Sequence, residues 1–355
     1  MNELTLRSYF SNYFGYGLHG LQILKDFDAF GYKVRGIPIG VDFRDENFRH
    51  GRTDDDAFIR RVIVGDDPAY DREVVLGLPY LQLPDDGRKR VFFTMWDTNR
   101  LPLKGVENLN RMSHVIVPSE WNASLFNASG VNAPLSISQL GIDTSVYNYV
   151  PPNVDGPCVF GTGGRQTAGG IRKNIHELIA VFTRAFPDQK DVRLHLKTFP
   201  DEATVKTFDP RVKITNAFLS PRNMAVWYAE LTAYVSFSNS EGWGLMPQQA
   251  MAVGRPTIAP KFGGMREYFD EGVGYPVDYR LVPCGGIYAQ DTFSAGGYWA
   301  KVDEDALIEQ MRWVYANRGH AHELGKTASE RALRYSWQAA HRRLEKVLLD
   351  IHYFD

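Results

Sequence analysis

An acidic residue stands in a glycine-rich turn of this sequence, within the segment SNSEGWGLMPQQAMA at residues 238–252. Glu241 follows a short apolar run, and the Gly-Trp-Gly after it lets the chain turn sharply and a ligand approach the backbone. Gln249 comes eight residues later, early in a helix that Pro247 is suited to begin. A carboxylate and an amide at this spacing would hydrogen-bond the hydroxyl groups of one small polar ligand. The competing interpretation is an ordinary turn with a solvated glutamate.

Two further glycine-rich segments could bind an anion. The first is GTGGRQTAGGIRKN at residues 161–174, where Arg165 and Lys173 are cations suited to a diphosphate. The second is FGGMREYF at residues 262–269, where two glycines precede a predicted helix start. Bare backbone amides at a helix N-terminus attract phosphate. Each segment alone is compatible with a solvated loop, but the three together suit an anionic, hydroxyl-rich ligand such as a nucleotide sugar.

Composition and charge limit the classes of partner. A chain of 355 residues favours two domains. The formal net charge of -2 provides no basic surface for nucleic acid, so we expect no nucleic-acid partner. The two cysteines, Cys158 and Cys284, are far apart and not in a metal-binding spacing. Because no apolar run has membrane-spanning length, these features predict a soluble cytoplasmic protein.

Strand-like and helix-like segments alternate along the chain, which predicts an α/β fold with parallel sheets covered by helices. The first series occupies residues 1–150 and the second residues 151–335, with the proline-rich segment VYNYVPPNVDGP at the junction. Residues 336–355 are predicted to form a last helix, and the polar stretch Arg44–Asp67 is predicted to be loop. Ligands of open α/β sheets bind beyond the carboxyl ends of the strands, and the acidic turn follows such a strand.

Several motifs, in chain order, resemble those of retaining GT-B glycosyltransferases of the family 4 type, the glycosyl transferases group 1. The family's E-x7-E segment is resembled by EGWGLMPQQAMAVGRPTIA, its donor-phosphate loop by GTGGRQTAGGIRKNIHELIAVF, and its GG-x-x-E turn by FGGMRE. Strands and loops on its acceptor side are resembled by FFTMWDTNRLP and HVIVPSEWNASLFNASGV. The tail of one subgroup is resembled by VDYRLVP and RYSWQAAHRRL. Together the similarity covers residues 90–345.

This resemblance implies a GT-B fold, with two facing Rossmann-like domains and a C-terminal helix that crosses back to the first domain. It implies transfer of a sugar from a nucleotide-diphosphate sugar to an acceptor hydroxyl with retention of anomeric configuration. The second domain would bind the donor. The first domain would bind the acceptor, which is a glycan, a lipid-linked sugar or a small molecule. Neither the base nor the sugar of the donor is specified by these motifs.

The resemblance also assigns roles to residues. Glu241 would bind hydroxyls of the transferred sugar, and Arg165 and Lys173 would neutralise the leaving diphosphate, which is usually the largest catalytic contribution. Gln249 stands where the family has its second glutamate, so we expect weaker or altered nucleotide binding. The expected donor-binding residues are Gly17, Gly163, Gly242, Trp243, Gly244, Leu245, Gln249, Gly263, Gly264 and Glu267.

Two residues of the first half are candidates for reacting groups. Asp97 follows the apolar run RVFFTMW and is our candidate for contacting or polarising the acceptor. Capping of the following turn is the alternative role for this carboxylate. His19, assigned to the loop after the first strand, could reach the transferred sugar, although a surface position is commoner for an isolated loop histidine.

Two other classes of protein remain open. The segment GYGLHG, Gly15 to Gly20, with Asp42 after a second strand, matches the dinucleotide fingerprint of an NAD-dependent oxidoreductase. However, the residues SNYF separate its first glycine from the end of the strand. In the glycosyltransferase interpretation this loop, with Gly17, would line the donor side of the cleft. The third class is a nucleotide-sugar-binding protein without turnover, which Gln249 makes conceivable.

Patterns for metal binding are weak. The triplet Asp54-Asp55-Asp56 satisfies a D-x-D pattern, but it follows the polar RHGRT instead of an apolar strand, so we interpret it as a solvated loop. None of the nine histidines forms an HExxH pair. We therefore expect neither a catalytic metal nor another cofactor.

Overall fold

The structure, a computed structural model, describes residues 2–11, 14–39, 56–64, 70–166, 168–200, 205–289 and 297–355. Its chain divides into two compact units. Unit 1 comprises residues 1–96, 100–141 and 337–355, and unit 2 comprises residues 97–99 and 142–336. Asp97, expected to belong to the first domain, therefore groups with unit 2.

Unit 1 is built on a parallel sheet. Its described strands are β1 (Glu3–Ser8), β2 (Lys33–Pro38), β3 (Arg72–Leu76), β4 (Lys89–Phe93), β5 (His114–Val117) and β6 (Leu135–Ile137). They form a six-stranded sheet in the order β2-β1-β3-β4-β5-β6. Its described helices are α1 (Gly15–Ala29), α2 (Asp56–Val62), α3 (Leu103–Leu109), α4 (Glu120–Ala128) and α10 (Trp337–Asp350). Central strands such as β4 bury an unbroken apolar run, which is typical of a parallel sheet covered on both faces.

A buried carboxylate lies in the centre of this sheet. Glu73, in β3, is 0% exposed. Arg7 Nε donates to Glu73 Oε2 at 2.9 Å, and Arg90 Nε donates to Oε1 at 2.6 Å. The two arginines come from β1 and β4, the neighbours of β3 in the sheet. This charged cluster therefore joins three adjacent strands.

Unit 2 contains a second parallel sheet of the same size. Its described strands are β7 (Cys158–Gly163), β8 (Val192–Thr198), β9 (Val212–Asn216), β10 (Ala233–Val235), β11 (Thr257–Pro260) and β12 (Gly274–Val277). They form a six-stranded sheet in the order β12-β11-β10-β7-β8-β9. A separate antiparallel hairpin consists of β13 (Tyr279–Pro283) and β14 (Tyr298–Val302). The described helices are α5 (Glu177–Ala185), α6 (Pro221–Ala229), α7 (Leu245–Ala252), α8 (Glu304–Ala316) and α9 (Arg318–Ala332). Each unit is Rossmann-like, as the GT-B expectation requires.

Local capping sets several helix starts. Ser119 caps α4, because its side chain accepts the N–H of Asn122 at the start of this helix. Ser220 caps α6 in the same way, with Pro221 at the first helical position. Among the helices described here, none is both long enough and apolar enough to cross a bilayer.

Two segments expected to be loop are helical. The GYGLHG segment forms the first turns of α1, which begins at Gly15, and Asp56–Val62 forms α2. Gly20 lets α1 approach β1 closely, since a Cβ there would lie 2.7 Å from Ser8 Oγ. Tertiary packing thus outweighs the low intrinsic helix propensity of glycine.

The proline-rich segment at residues 146–157 lies inside unit 2, which begins at Ile142. The Ile142 N–H donates to the carbonyl of Tyr335 at 2.8 Å. Farther along, the buried Arg255 donates to the carbonyl of Val150 at 2.9 Å. These bonds anchor the segment to unit 2, so the division between the units comes before the prolines.

Candidate active site

The turn that carries Glu241 lies at the carboxyl edge of the unit 2 sheet. It follows β10, which ends at Val235, and leads into α7, which begins at Leu245. Gly244 precedes the helix with a φ of 94°, in the left-handed region that favours glycine. Trp243 beside it is only 1% exposed. The expected order of strand, acidic turn and helix is therefore present.

The carboxylate of Glu241 is buried between two cations. It is 7% exposed, Lys173 Nζ donates to Oε1 at 2.6 Å, and Arg172 Nη2 donates to Oε2 at 3.2 Å. Burial alone would raise the pKa of Glu241, but the two cations outweigh it and the pKa lies below its usual value. Burial lowers the pKa of Lys173, with Arg172 acting in the same direction against Glu241. Glu241 is thus ionised at neutral pH.

Arg172 was not singled out from the sequence, although it lies beside the expected Lys173. Both residues end a 3₁₀ helix, Ala168–Lys173. The Arg172 carbonyl accepts the N–H of Asn239 at 2.8 Å, and Asn174, with a φ of 49°, donates from Nδ2 to the carbonyl of Phe237 at 2.9 Å. These bonds tie the loop after β7 to the acidic turn. In the sequence, the run Arg172-Lys173-Asn174 was the signal that could have identified Arg172.

Asp97 joins the same cluster. Its Oδ1 accepts the backbone N–H of Gly242 at 2.9 Å, and its Oδ2 accepts the Tyr288 hydroxyl at 3.0 Å. Arg172 Nε lies 3.0 Å from Oδ2. The side chain of Asp97 therefore holds the backbone directly after Glu241 and one of the cations that contact it. Its contact with an acceptor stays a prediction.

The paired glycines pack against the acidic turn. They begin a 3₁₀ helix, Gly263–Glu267, and the Gly264 N–H donates to the carbonyl of Glu241 at 2.8 Å. This amide is therefore not bare, and the expectation of a free anion-binding amide at Gly264 is wrong. A Cβ on Gly264 would lie 1.9 Å from the carbonyl oxygen of Gly242. Glycine is required because two backbone turns meet there.

Gln249 is 6% exposed in α7. Its Oε1 accepts the hydroxyl of the buried Tyr228 at 3.1 Å. Burial raises the pKa of Tyr228 well above its usual value, so this hydroxyl stays protonated. The expected use of Gln249 as an acceptor for a ribose hydroxyl would compete with this bond.

Arg165 lies on an aromatic ring. Its guanidinium carbon is 4.6 Å from the ring centroid of Phe199, and Lys197 Nζ lies 3.3 Å from the same centroid. Gly163, at the end of β7, is closely packed: a Cβ there would lie 2.7 Å from Met246 Cε, the end of a flexible side chain, and 3.1 Å from the carbonyl oxygen of Lys197. Arg165 therefore stacks on Phe199 in this structure, and its contact with the diphosphate stays a prediction.

His19 and Gly17 belong to unit 1 and to α1, so their placement in a loop is wrong. His19 is 0% exposed, with its ring centroid 5.1 Å from that of Trp337 and 5.4 Å from that of His341. Burial, followed by the charge of His341, holds the pKa of His19 well below its usual value. A Cβ on Gly17 would lie 2.7 Å from Ser11 N. Both residues therefore serve packing in this structure, and a contact of either with the donor stays a prediction.

Among the residues that the structure describes, no group of three or more histidine, cysteine, aspartate or glutamate side chains could hold a metal ion. Asp42, Asp54 and Asp55 lie outside the described residues. The dinucleotide and D-x-D alternatives that used them therefore gain no support from the geometry.

Two cations and two carboxylates thus lie together at the carboxyl edge of a parallel sheet, where such folds bind ligands. Arg172 and Lys173 are suited to an anion such as a diphosphate. Glu241 is suited to accept hydrogen bonds from sugar hydroxyls, because it is ionised and acceptor-only.

A sequence model described as glycosyl transferases group 1 matches residues 159–316. This region holds every member of the cluster except Asp97. It is somewhat less than half of the 355-residue chain.

Curated relatives match over short regions. The lipopolysaccharide core biosynthesis mannosyltransferase LpcC of Rhizobium leguminosarum bv. viciae is 27% identical over 173 residues, which are 45% of this chain and 48% of the relative. The putative glycosyltransferase ORF313 of Acidianus filamentous virus 1 is 45% identical over 51 residues, which are 14% of this chain and 16% of the relative. This chain therefore spans about half the length of the first relative and less of the second.

Solved structures match over the whole chain. A sucrose-phosphate synthase from Thermosynechococcus elongatus aligns with a TM-score of 0.72 and 16% identity, covering 100% of both chains. Anabaena HepE in complex with UDP and glucose aligns with a TM-score of 0.69 and 15% identity, covering 99% of this chain and 100% of its own. At such identities the similarity shows the fold. Residues 159–316 thus match the glycosyl transferases group 1 model, and the chain has a GT-B fold.

Proposed function

We propose that this protein is a glycosyltransferase that transfers a sugar from a nucleotide-diphosphate sugar to an acceptor hydroxyl, with retention of anomeric configuration. The family match of residues 159–316 supports the reaction class. The observation that carries the proposal is the ionised Glu241 held between Arg172 and Lys173 at the ligand-binding edge of the sheet. One relative is named a mannosyltransferase, and one structural neighbour was solved with UDP and glucose.

The cluster would act by charge stabilisation. As the bond between the sugar and the diphosphate breaks, negative charge develops on the leaving phosphate oxygens, and the cations nearby would stabilise it. Glu241 would accept hydrogen bonds from hydroxyls of the transferred sugar and hold its reacting carbon in place. No step requires a metal ion, because Arg172 and Lys173 supply the positive charge.

Retention would follow from attack on the face that the diphosphate leaves. The acceptor oxygen forms a bond to the reacting carbon, the bond to the diphosphate oxygen breaks, and a phosphate oxygen takes the acceptor proton. This route needs no carboxylate as general base. It therefore leaves Asp97 free for the backbone and guanidinium contacts that it makes.

Donor binding is the first test. Thermal-shift measurements with UDP, GDP, ADP, CDP and dTDP and their sugars, with NAD and NADP alongside, would compare the wild type with Lys173→Ala. The matched control is Lys326→Ala, an exposed lysine of α9. We expect one nucleoside diphosphate to stabilise the wild type and the control, and to stabilise Lys173→Ala much less. Stabilisation by NAD or NADP alone, unchanged in Lys173→Ala, would overturn the proposal.

Turnover separates the enzyme from a binding protein. We expect release of the nucleoside diphosphate from the donor sugar when an acceptor glycan pool is added, and an unchanged rate in the presence of EDTA. Proton NMR of the first product should show the anomeric configuration of the donor. Donor binding with no release under any acceptor would instead favour the binding protein without turnover.

A further inference from the structure

Arg172 connects both carboxylates of the cluster. Its Nε lies 3.0 Å from Asp97 Oδ2, and its Nη2 donates to Glu241 Oε2 at 3.2 Å. Its side chain is only 11% exposed. Burial alone would lower the pKa of Arg172, but Asp97 and then Glu241 outweigh it and the net direction is upward. The guanidinium is therefore a permanent charge at a nearly buried position.

One end of this guanidinium remains open. Among the described residues, Arg172 Nη1 makes no hydrogen bond and is not fully buried, whereas Nε is fully buried and faces Asp97 Oδ2 at 3.0 Å. Lys173 Nζ lies beside it on the other oxygen of Glu241. Two adjacent donors that both contact one carboxylate can also both contact one phosphate group.

Contacts of Asp97 with Tyr288 and Gly242 fix the direction of the Arg172 guanidinium. Tyr288, which is 3% exposed, donates to Asp97 Oδ2 and packs on Trp299 with ring centroids 5.4 Å apart. Burial, followed by the charge of Asp97, raises the pKa of Tyr288, so its hydroxyl stays protonated and keeps donating. The Gly242 N–H holds the other oxygen of Asp97. The side chain of Asp97 therefore has little rotational freedom. The Arg172 guanidinium, which contacts Asp97, is restricted with it.

We infer that Arg172 is a second cationic ligand of the donor diphosphate, and that Asp97 and Tyr288 are positioning residues that aim its open Nη1 edge at that group. This inference rests on the proposed function. It adds Arg172 to Arg165 and Lys173, the two cations expected at the diphosphate, and it replaces the role expected for Asp97 as the group that contacts the acceptor.

The arrangement also explains why two cations are compatible with nearly buried positions. Arg172 and Lys173 are balanced by Asp97 and Glu241, so the cluster buries no net charge. A diphosphate would contact Arg172 at its Nη1 edge and would replace Glu241 on Arg172 Nη2 and Lys173 Nζ. Glu241 would then be released toward the sugar hydroxyls, while Asp97 would stay on Arg172 Nε.

The first experiment measures dissociation constants by calorimetry for the nucleoside diphosphate that binds best and for its monophosphate. We expect Arg172→Ala to weaken diphosphate binding by about 10- to 100-fold, as loss of a charge-assisted hydrogen bond does, and to weaken monophosphate binding much less. Arg172→Lys should recover part of the loss because it keeps the charge. The matched control Arg184→Ala, an exposed arginine of α5, should bind like the wild type.

The outcomes separate the two proposals. If the wild type binds no nucleoside diphosphate, the proposed function and this inference fail together. If the wild type binds one and Arg172→Ala keeps the wild-type ratio of diphosphate to monophosphate affinity, only this inference fails. Circular dichroism of each variant shows whether it folds. If Arg172→Ala does not fold, the ratio of diphosphate to monophosphate affinity in Arg172→Lys decides whether this inference holds.

A double-mutant cycle tests whether Tyr288 positions Arg172. Tyr288→Phe should raise the donor KM several-fold with little change in kcat, because Arg172 is less well aimed before the reaction begins. In the Arg172→Ala background the same substitution should have no further effect, since the residue that it positions is gone. Equal effects of Tyr288→Phe in both backgrounds would show that Tyr288 does not act through Arg172, and would overturn its positioning role.

Discussion

Lys173 Nζ and Glu241 Oε1 lie 2.6 Å apart, although 68 residues separate them along the chain. The pair brings the loop after β7 and the turn after β10 to one point at the edge of the unit 2 sheet. A cation for a leaving group and an acceptor for sugar hydroxyls therefore occupy neighbouring positions.

Replacing Glu241 with glutamine should separate catalysis from nucleotide binding. The amide keeps the size of the side chain but loses the charged acceptor, so we expect sugar transfer to fall roughly 10- to 100-fold. The nucleoside diphosphate should bind at least as tightly as before, because Arg172 and Lys173 lose the carboxylate that competes for them. Calorimetry and rate measurements check both parts. Unchanged transfer would contradict the role of Glu241, and Glu309→Gln on the exposed face of α8 is the control.

A carboxylate at position 249, in place of Gln249, should strengthen binding of the nucleotide. A charge-assisted bond to a ribose hydroxyl is roughly twice as strong as a neutral one, so we expect Gln249→Glu to tighten nucleoside diphosphate binding several-fold. The same change buries a carboxylate beside Tyr228, so the melting temperature of the free protein should fall. Weaker binding together with a lower melting temperature would show that Gln249 serves packing alone.

An alanine at Gly264 should disrupt the site through its backbone. The added Cβ would lie 1.9 Å from the carbonyl oxygen of Gly242, so one of the two turns must move. We expect a loss of at least about 1 kcal/mol in the free energy of unfolding, together with loss of nucleoside diphosphate binding. The control is Gly319→Ala in α9, where the Cβ would meet nothing within 4 Å. Wild-type binding by Gly264→Ala would contradict the close packing of the turns.

Removing Glu73 should destabilise unit 1 strongly. Glu73→Ala leaves Arg7 and Arg90 without the buried carboxylate that pairs with both, and such a loss typically costs about 3–5 kcal/mol. Hydrogen exchange of peptides from β1, β3 and β4 would locate the loss in this sheet. The exposed Glu107→Ala in α3 should change stability by less than about 0.5 kcal/mol. A similarly small change for Glu73→Ala would contradict this assignment.

The buried His19 should make stability depend on pH. Its pKa is held well below 6.5 by burial, first, and by the charge of His341. Below about pH 6.5 the unfolded chain therefore binds a proton that the folded chain does not, so stability is complete above this pH and falls as the pH falls. Titration of this one histidine changes the free energy of unfolding by at most about 1.4 kcal/mol per pH unit.

Urea unfolding between pH 5 and pH 8, an interval chosen around the ordinary histidine pKa of about 6.5, checks this expectation. His19→Gln should show a shallower slope than the wild type, whatever its absolute stability. The exposed His176→Gln should keep the wild-type slope. An unchanged slope in His19→Gln would show that this histidine is not the titrating group.

Much of the site was predictable because its signals are local. The turn at Glu241 follows from an apolar run, two glycines and a helix start. The pair Gly263-Gly264 was recognised as an anion-binding helix start, but Gly264 uses its amide on the carbonyl of Glu241 and not on a ligand. The motif predicted that the glycine pair lies at the site. Only the structure shows which acceptor the Gly264 N–H bonds to.

Other features had no local signal. α1 begins at Gly15, because packing of Gly20 on β1 outweighs its weak helix propensity. His19 is buried in that helix against Trp337, a residue from the far end of the chain. No spacing in the sequence indicates a stacking partner that distant, and an isolated histidine near a strand end is compatible with a loop.

The sequence by itself determined the alternation of strands and helices, the acidic turn and the family resemblance, because periodicity, glycine, proline and capping act within a few residues. Only the tertiary structure decided that Arg172 lies on Glu241, 69 residues away, and that Asp97 holds Gly242, 145 residues away. Contacts of this range depend on the order of strands in a sheet and on which loops meet at its edge. The chemistry of the cluster comes from residue types, but its membership comes from the fold.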